Sequence, residues 1–237
     1  MKLKAIFPAV VLLLLASPSS VMAKETVIKV RTAVEFIQAI GPNRTIEIAT
    51  DKPLNITEAL NGLIKEGRIS QGETFFSDVA SAASFSDHIT YISNTDGFGL
   101  QIRNCNGLTI KGKKGVSTLL ATPRYVNVLE FILCDNVELS GLTLGHTEAG
   151  YCDKGVLELD ACTDVLINDC DLFGCGTEGI VAEQCNDISV NRTTIHDCTY
   201  YTMHLNGCNQ VRFNDCVFRD NREYEQLVIN DCEDVVF

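Results

Sequence analysis

The chain has 237 residues, with 31 Asp and Glu against 19 Lys and Arg, a net charge of −12 and no Trp. A charge of that sign repels nucleic acid and anionic membrane surfaces, so neither is expected as a partner. Aromatics make up only 7% of the residues, which leaves little material for stacking on sugar rings.

In chain order, "MKLK" is a basic head, "AIFPAVVLLLLA" an apolar run, and "SPSSVMA" a small-residue tail with an A-x-A-like end. This predicts a secretory signal peptide over residues 1–23, cut after Ala23, and a secreted or periplasmic chain. The apolar run is too short to cross a bilayer, and no later stretch approaches ~18 apolar residues, so the chain reads as not membrane-spanning. Without Lys2 and Lys4, 17 basic side chains remain against 31 acidic ones, a net charge of −14.

Residues 24–97 read as an amino-terminal cap and lead-in. "TVIKV" is a short strand, and "TAVEFIQAIG" opens on Thr32-x-x-Glu35, a capping box ahead of apolar residues at helical spacing. "RTIEIA" alternates as a strand, and "NITEALNGLIKEG" predicts a second amphipathic helix ending at Gly67. Residues 68–97 read as a loop with one strand around "HITYIS".

From residue 98 to 237 the chain repeats on cysteine. Cys105, Cys134, Cys162, Cys185, Cys208 and Cys232 are separated by 29, 28, 23, 23 and 24 residues. Three and five residues to either side of each anchor stand apolar side chains, from Leu100/Ile102 and Leu108/Ile110 to Leu227/Ile229 and Val235/Phe237. All 24 such positions are apolar, in a chain that is 46% hydrophobic. Alternation on both sides of a turn means two half-buried strands per repeat. A third apolar pair follows eight and ten residues after the anchor in most repeats (Leu142/Leu144, Cys170/Leu172, Thr193/Ile195 and Cys216/Phe218). Three short strands per repeat, stacked on their own copies, predict an all-β solenoid, a parallel β-helix.

Equivalent side chains on neighbouring coils lie ~4.8 Å apart, whereas a disulfide wants Cβ atoms near ~3.8 Å. The column cysteines therefore read as reduced, buried thiols acting as compact hydrophobes. Ser140, Asn168, Asn191 and Asn214 form another column, with amides placed to hydrogen-bond along the stack. The chain stops inside the second strand of its sixth repeat, which reads as a fragment.

The pattern over residues 98–237 resembles the right-handed parallel β-helix of the pectin and pectate lyase-like superfamily, whose members commonly carry a helical amino-terminal cap. The resemblance implies an extended polysaccharide as partner, and it is specific for fold rather than activity. The Asn-Thr-Asp, Gly-Asp-Asp and Gly-His-Gly motifs of its polygalacturonase-like members and the Arg-x-Pro-x-x-Arg of its pectate lyases do not occur within the repeats. "NTDG" at Asn94–Gly97 matches the first but precedes them.

Outward side chains of each first strand lie two and four residues before the anchor. They bring Glu130, Glu158, Asp160, Glu183, His204 and Asn206 onto one face. Asp160 and Glu183 fall in the same column on adjacent coils, ~5 Å apart. Carboxyl groups at ~5–5.5 Å can serve as acid and nucleophile on a glycosidic bond, and they raise one another's proton affinity. Asp160 and Glu183 are thus the expected catalytic pair, Glu158 and His204 their support, and Glu130 and Asn206 substrate-binding. Ca²⁺ held between the two acids is equally good chemistry, and a merely solvated acidic face is the bland alternative. A second constellation lies at the turns into the next coil. Cys152 and Cys175 there predict a disulfide, or with His146 a site for a borderline metal. Three function classes stay open. One is an exported protein that binds or processes polysaccharide on its first-strand face, as a lyase or glycosidase if catalytic; another is a non-catalytic surface or adhesion scaffold; the third is a redox- or metal-dependent protein using Cys152 and Cys175.

Overall fold

The computed structural model describes residues 26–72, 86–148, 154–174, 178–221 and 227–237. The predicted signal peptide lies outside them, as do Cys152 and Cys175. Among the described residues no helix is long and apolar enough to cross a membrane.

The repeats form an all-β solenoid with three sheets, one for each strand of a coil. The first-strand sheet stacks Gly97–Arg103, Leu129–Ile132, Leu157–Asp160, Glu178–Glu183, Tyr201–Asn206 and Leu227–Asn230 in parallel. The second stacks Asn106–Lys111, Asp135–Ser140, Thr163–Asn168, Asn186–Asn191, Asn209–Asn214 and Glu233–Val236. The third is shorter: Thr118–Ala121, Thr143–His146, Asp171–Phe173, Thr194–His196 and Val217–Arg219. Twenty of the 24 alternating apolar positions are buried, all but the four of the last coil. Their side chains fill one continuous core running from Val30 to Phe213.

The cap continues the sheets rather than sitting beside them. Thr26–Val30 and Arg44–Ile48 extend the second sheet, Leu54–Asn55 the third, and Ser70–Gln71 joins the first through Ile89–Asn94. Helix α1 (Ala33–Ala39) starts on the Thr32–Glu35 capping box and buries Phe36, Ile37 and Ala39. Helix α2 (Ile56–Lys65) is N-capped by Asn55, buries Ile56, Ala59, Leu60 and Leu63, and is followed by Gly67 at φ 67°. It packs on Gly97–Arg103 and Thr118–Ala121, at the amino-terminal end of the solenoid. One pairing departs from the repeat: Ile89–Asn94 runs antiparallel to Gly97–Arg103. The "NTDG" segment spans the turn of that hairpin. Its Asp96 carboxylate accepts from the Arg124 and Tyr125 amides, and Asn94 donates to the Tyr125 carbonyl. The one motif match is thus a structural turn.

Corners are set by left-handed residues at fixed positions. The residue before each anchor cysteine has positive φ (Asn104, Leu133, Ala161, Gln184, Gly207 and Asp231), and so does the residue two after it. Asp, Asn and Gly predominate at the latter positions because the left-handed region costs other residues roughly 1–2 kcal/mol. Leu133, Ala161, Gln184 and Gln210 depart from that chemistry, and Leu133 does so with a bulky apolar side chain, at φ 53° with 53% of its surface exposed.

The cysteine columns are more than apolar filler. All nine described cysteines are free thiols. Cys185 Sγ accepts from the Cys162 amide at 3.3 Å and lies 3.4 Å from the Leu159 carbonyl of the preceding coil. The thiols of Cys134, Cys162 and Cys208 reach the equivalent carbonyls of Ile102, Phe131 and Ala182 at 3.5, 3.4 and 3.3 Å. Cys134 and Cys185 thus each stand between an amide and a carbonyl of the preceding coil. In the second column the Thr193 hydroxyl likewise accepts from the preceding coil, from Cys170 N at 3.2 Å, and donates within its own coil to Asn191 O at 3.0 Å. The amide column is partly joined: Asn214 donates to Asn191 at 2.8 Å, while Asn168 accepts from Arg192 and donates to Asp169.

Candidate functional site

Register along the first-strand sheet fixes two outward columns. One runs Ile132, Asp160, Glu183, Asn206, Asn230, and the other Gln101, Glu130, Glu158, Val181, His204, Val228. Asp160 and Glu183 are therefore neighbours, one strand spacing apart, in the register the cysteine spacing implies. Their environments are open: Asp160 is half-buried and Glu183 exposed. No side-chain hydrogen bond or ion pair holds either among the described residues. Burial, then the Glu183 and Glu158 carboxylates, raise the Asp160 carboxyl above its ordinary range. Asn206 stacks on Glu183. His204 Nδ1 lies 3.9 Å from the Glu178 carboxylate and its ring 6.1 Å from that of Tyr201.

The built part of the face lies one coil nearer the cap. Glu130 points outward yet is only 8% exposed. Gln101, on the coil before it, donates to Glu130 Oε1 at 2.7 Å and is itself held by the Thr90 hydroxyl at 3.1 Å. On the coil after it, Glu158 accepts from Asn127 at 2.5 Å and from Lys154 Nζ at 2.9 Å. Asn127 is oriented in turn by the Gly155 amide, 2.9 Å from its Oδ1. Burial, followed by the neighbouring Glu158 charge, pushes the Glu130 carboxyl up to about 7, against the pull of Gln101, Lys154 and Asn127. Burial works to lower the Lys154 ammonium, but Glu158, Glu130 and Glu178 outweigh it and hold the group above its ordinary value. Two carboxyl groups on adjacent coils are thus made chemically unequal. One is desolvated and holds a proton near neutrality; the other is paired with a cation. Divergent environments of this kind separate an acid from a nucleophile or base.

Glu130, Glu158, Asp160, Glu183, His204 and Asn206 all fall on the face predicted for them, but their weights differ from expectation. The spacing cannot tell a buried outward carboxyl from a solvated one, and the most buried of the set is Glu130. Lys154, Asn127 and Glu178 lie beyond the three-and-five pattern. Two of them stand seven residues before an anchor, a position that reads Phe98, Asn127, Gly155, Glu178 and Tyr201 for the first five anchors.

Among the described residues no three His, Cys, Asp or Glu side chains group as metal ligands. Asp160 and Glu183 offer two of the six to eight oxygen ligands that Ca²⁺ takes. His146 ends a third strand, 3% exposed, with Nε2 2.9 Å from the Val126 carbonyl, and burial lowers its pKa. His196 lies between two acids, with Asp197 2.7 Å from Nδ1 and Asp171 3.2 Å from Nε2, the latter without hydrogen-bond geometry. Cys198 is buried, its thiol pushed up to about 12 by burial.

No curated protein matches the chain. A solved structure from Parabacteroides merdae, named as a candidate glycosyl hydrolase, resembles it at 12% identity with a TM-score of 0.42, covering 79% of this chain and 96% of that one. Likeness at that level says nothing about activity. Residues 91–237 match the family model described as the right handed beta helix region. Three largely parallel sheets, a coil repeat on cysteine and that match place the chain in the right-handed β-helix family, to which it belongs.

Proposed function

We propose that this chain is an exported glycoside hydrolase that cleaves polysaccharide laid along its first-strand face. Glu130 acts as general acid and Glu158 as the opposing carboxylate. The observation that carries the reading is the environment of Glu130, a carboxyl group 8% exposed on an outward column, beside a Glu158 carboxylate paired with Lys154. Adjacent coils set the two about one strand spacing apart, ~4.8 Å, close to the ~5–5.5 Å of retaining enzymes.

In that chemistry a Glu158 oxygen forms a bond to the anomeric carbon as the glycosidic carbon–oxygen bond breaks, and the Glu130 proton passes to the leaving oxygen. Water, deprotonated by the resulting Glu130 carboxylate, then releases the sugar from Glu158. Lys154 is a positioning residue for Glu158, and sugar hydroxyls are held by Asp160 on the same coil and Glu183 on the next. The scaffold reading is favoured by a different observation: Glu130 and Glu158 already have hydrogen-bond partners inside the fold, as members of a structural network do.

Reducing-end release from a panel of neutral and acidic polysaccharides tests the reading. Glu130→Gln and Glu158→Gln should each lower kcat by about 10²–10⁴, while an Asp160→Asn/Glu183→Gln double variant raises KM and keeps most of kcat. Cleavage that survives Glu130→Gln overturns the assignment, and no cleavage by the wild type selects the scaffold.

A further inference from the structure

The first-strand face carries unequal charge along its length. Glu158, Asp160, Glu178 and Glu183 are acidic over two adjacent coils. The basic groups nearest them are Lys154, engaged by Glu158 at 2.9 Å, and Arg103, two coils nearer the cap. Among the described residues, the first strands of these two coils carry no Lys or Arg, and Lys154 just ahead of them is engaged by Glu158. One coil beyond Glu178 its register partner is Tyr201, half-buried, with its ring 6.1 Å from that of His204 and 6.3 Å from that of Tyr200. Two coils, roughly 10 Å, separate the Tyr201 strand from that of Glu158.

We infer that the glycan bound on this face is uncharged, and that Tyr201 with His204 forms a stacking platform for a sugar ring about two units from the carboxyl pair. The inference rests on the reading above and names the substrate class of that site. A uronate polymer would set its own carboxylates against Glu158, Asp160 and Glu183. Each such pair repels, and more strongly at the dielectric of a protein surface than in bulk water. Neutral sugars instead donate hydroxyl hydrogen bonds to the same oxygens, and charge-assisted bonds are the stronger kind. An aromatic ring supplies a flat apolar surface for the sugar without adding charge.

The experiment measures binding and not turnover. Tetra- and hexasaccharides of cellulose, mannan, xylan and polygalacturonate are titrated calorimetrically into the mature protein, at low and at 0.5 M salt. The expected result is that at least one neutral hexasaccharide binds tenfold or more tightly than hexagalacturonate at low salt, and that the gap narrows with screening. Tyr201→Ala should weaken the neutral hexasaccharide about tenfold and the disaccharide of the same series less than twofold, with the fold confirmed by circular dichroism. Hexagalacturonate binding as well as any neutral ligand overturns the inference, as does indifference of the hexasaccharide to Tyr201→Ala. Binding of a neutral glycan without cleavage overturns only the hydrolase reading. Binding of no glycan overturns both.

Discussion

Replacing Cys185 separates two accounts of the cysteine columns. If the thiol is only a compact hydrophobe, Val should serve at least as well as Thr, since the two are nearly isosteric and Thr brings a polar atom into the core. If the thiol is a polar rung, the order reverses. Cys185 is 1% exposed, accepts from Cys162 N at 3.3 Å and lies 3.4 Å from Leu159 O. Val leaves the amide without its partner, and a buried group so stranded costs about 1–3 kcal/mol. Thr can keep the amide contact and turn its hydroxyl to the Glu183 carbonyl, 3.2 Å from Cys185 Sγ, as Thr193 accepts from Cys170 N at 3.2 Å and donates to Asn191 O of its own coil at 3.0 Å. The added methyl is common to both variants and cancels in the comparison. Cys185→Thr is therefore expected to be more stable than Cys185→Val by about 1–3 kcal/mol, at roughly 2–4 °C of Tm per kcal/mol for a chain of this size. Thermal melts followed by circular dichroism measure it, and Thr193→Val supplies the reciprocal case with a loss of similar size. A Val variant at Cys185 as stable as the Thr variant would refute the rung.

Other expectations follow from single positions. Leu133 holds φ 53° with its side chain 53% exposed, so Leu133→Asn should raise stability by about 1 kcal/mol in a urea titration. At Gly179 a Cβ would stand 2.3 Å from Ile195 Cγ2 and 2.7 Å from the Thr202 carbonyl; Gly179→Ala should cost about 1–3 kcal/mol, and a neutral effect would show that the coil gives way. The Glu130 carboxyl is raised from 4.5 to about 7 in the fold, so between those values the folded state holds a proton that the unfolded chain has lost. Parent stability then falls as pH rises through that window, while Glu130→Gln escapes the loss, gaining on the order of 1–3 kcal/mol relative to the parent between pH 4.5 and 7 and nothing further above it. The same group, acting as acid, makes kcat/KM fall above about pH 7; a profile flat to pH 9 would remove Glu130 from that role.

Much of this architecture is legible in the cysteine spacing because a solenoid converts sequence period directly into spatial register. Aligning Cys162 with Cys185 is enough to set Asp160 beside Glu183, and the strands pair that way. The capping box at Thr32 and the helix ending near Gly67 are equally local signals. The alternation is silent on how deeply an outward side chain is sunk. That depends on Gln101, Asn127 and Lys154, two of which lie outside the strict alternation in the connections that lead into the first strands. The antiparallel hairpin of Ile89–Asn94 also escapes, because it occurs once and repeats nowhere. The thiol bonds escape for another reason: the pattern places cysteine in a corner but not the backbone groups it meets there.

The repeat also acts as a ruler. Cys162 to Cys185 and Cys185 to Cys208 are each 23 residues, and the left-handed residues that turn each corner travel with their own coil. Removing residues 163–185 would therefore take out one complete graduation. It would set Leu157–Asp160 against Tyr201–Asn206, put Asn206 where Glu183 had faced Asp160, and leave Glu130 and Glu158 as they are. The rod would shorten by one strand spacing, ~4.8 Å. Slipping one strand by a single residue would instead turn its outward row inward. Length in this molecule comes in whole coils, and the reach of its binding face is counted rather than continuously adjusted.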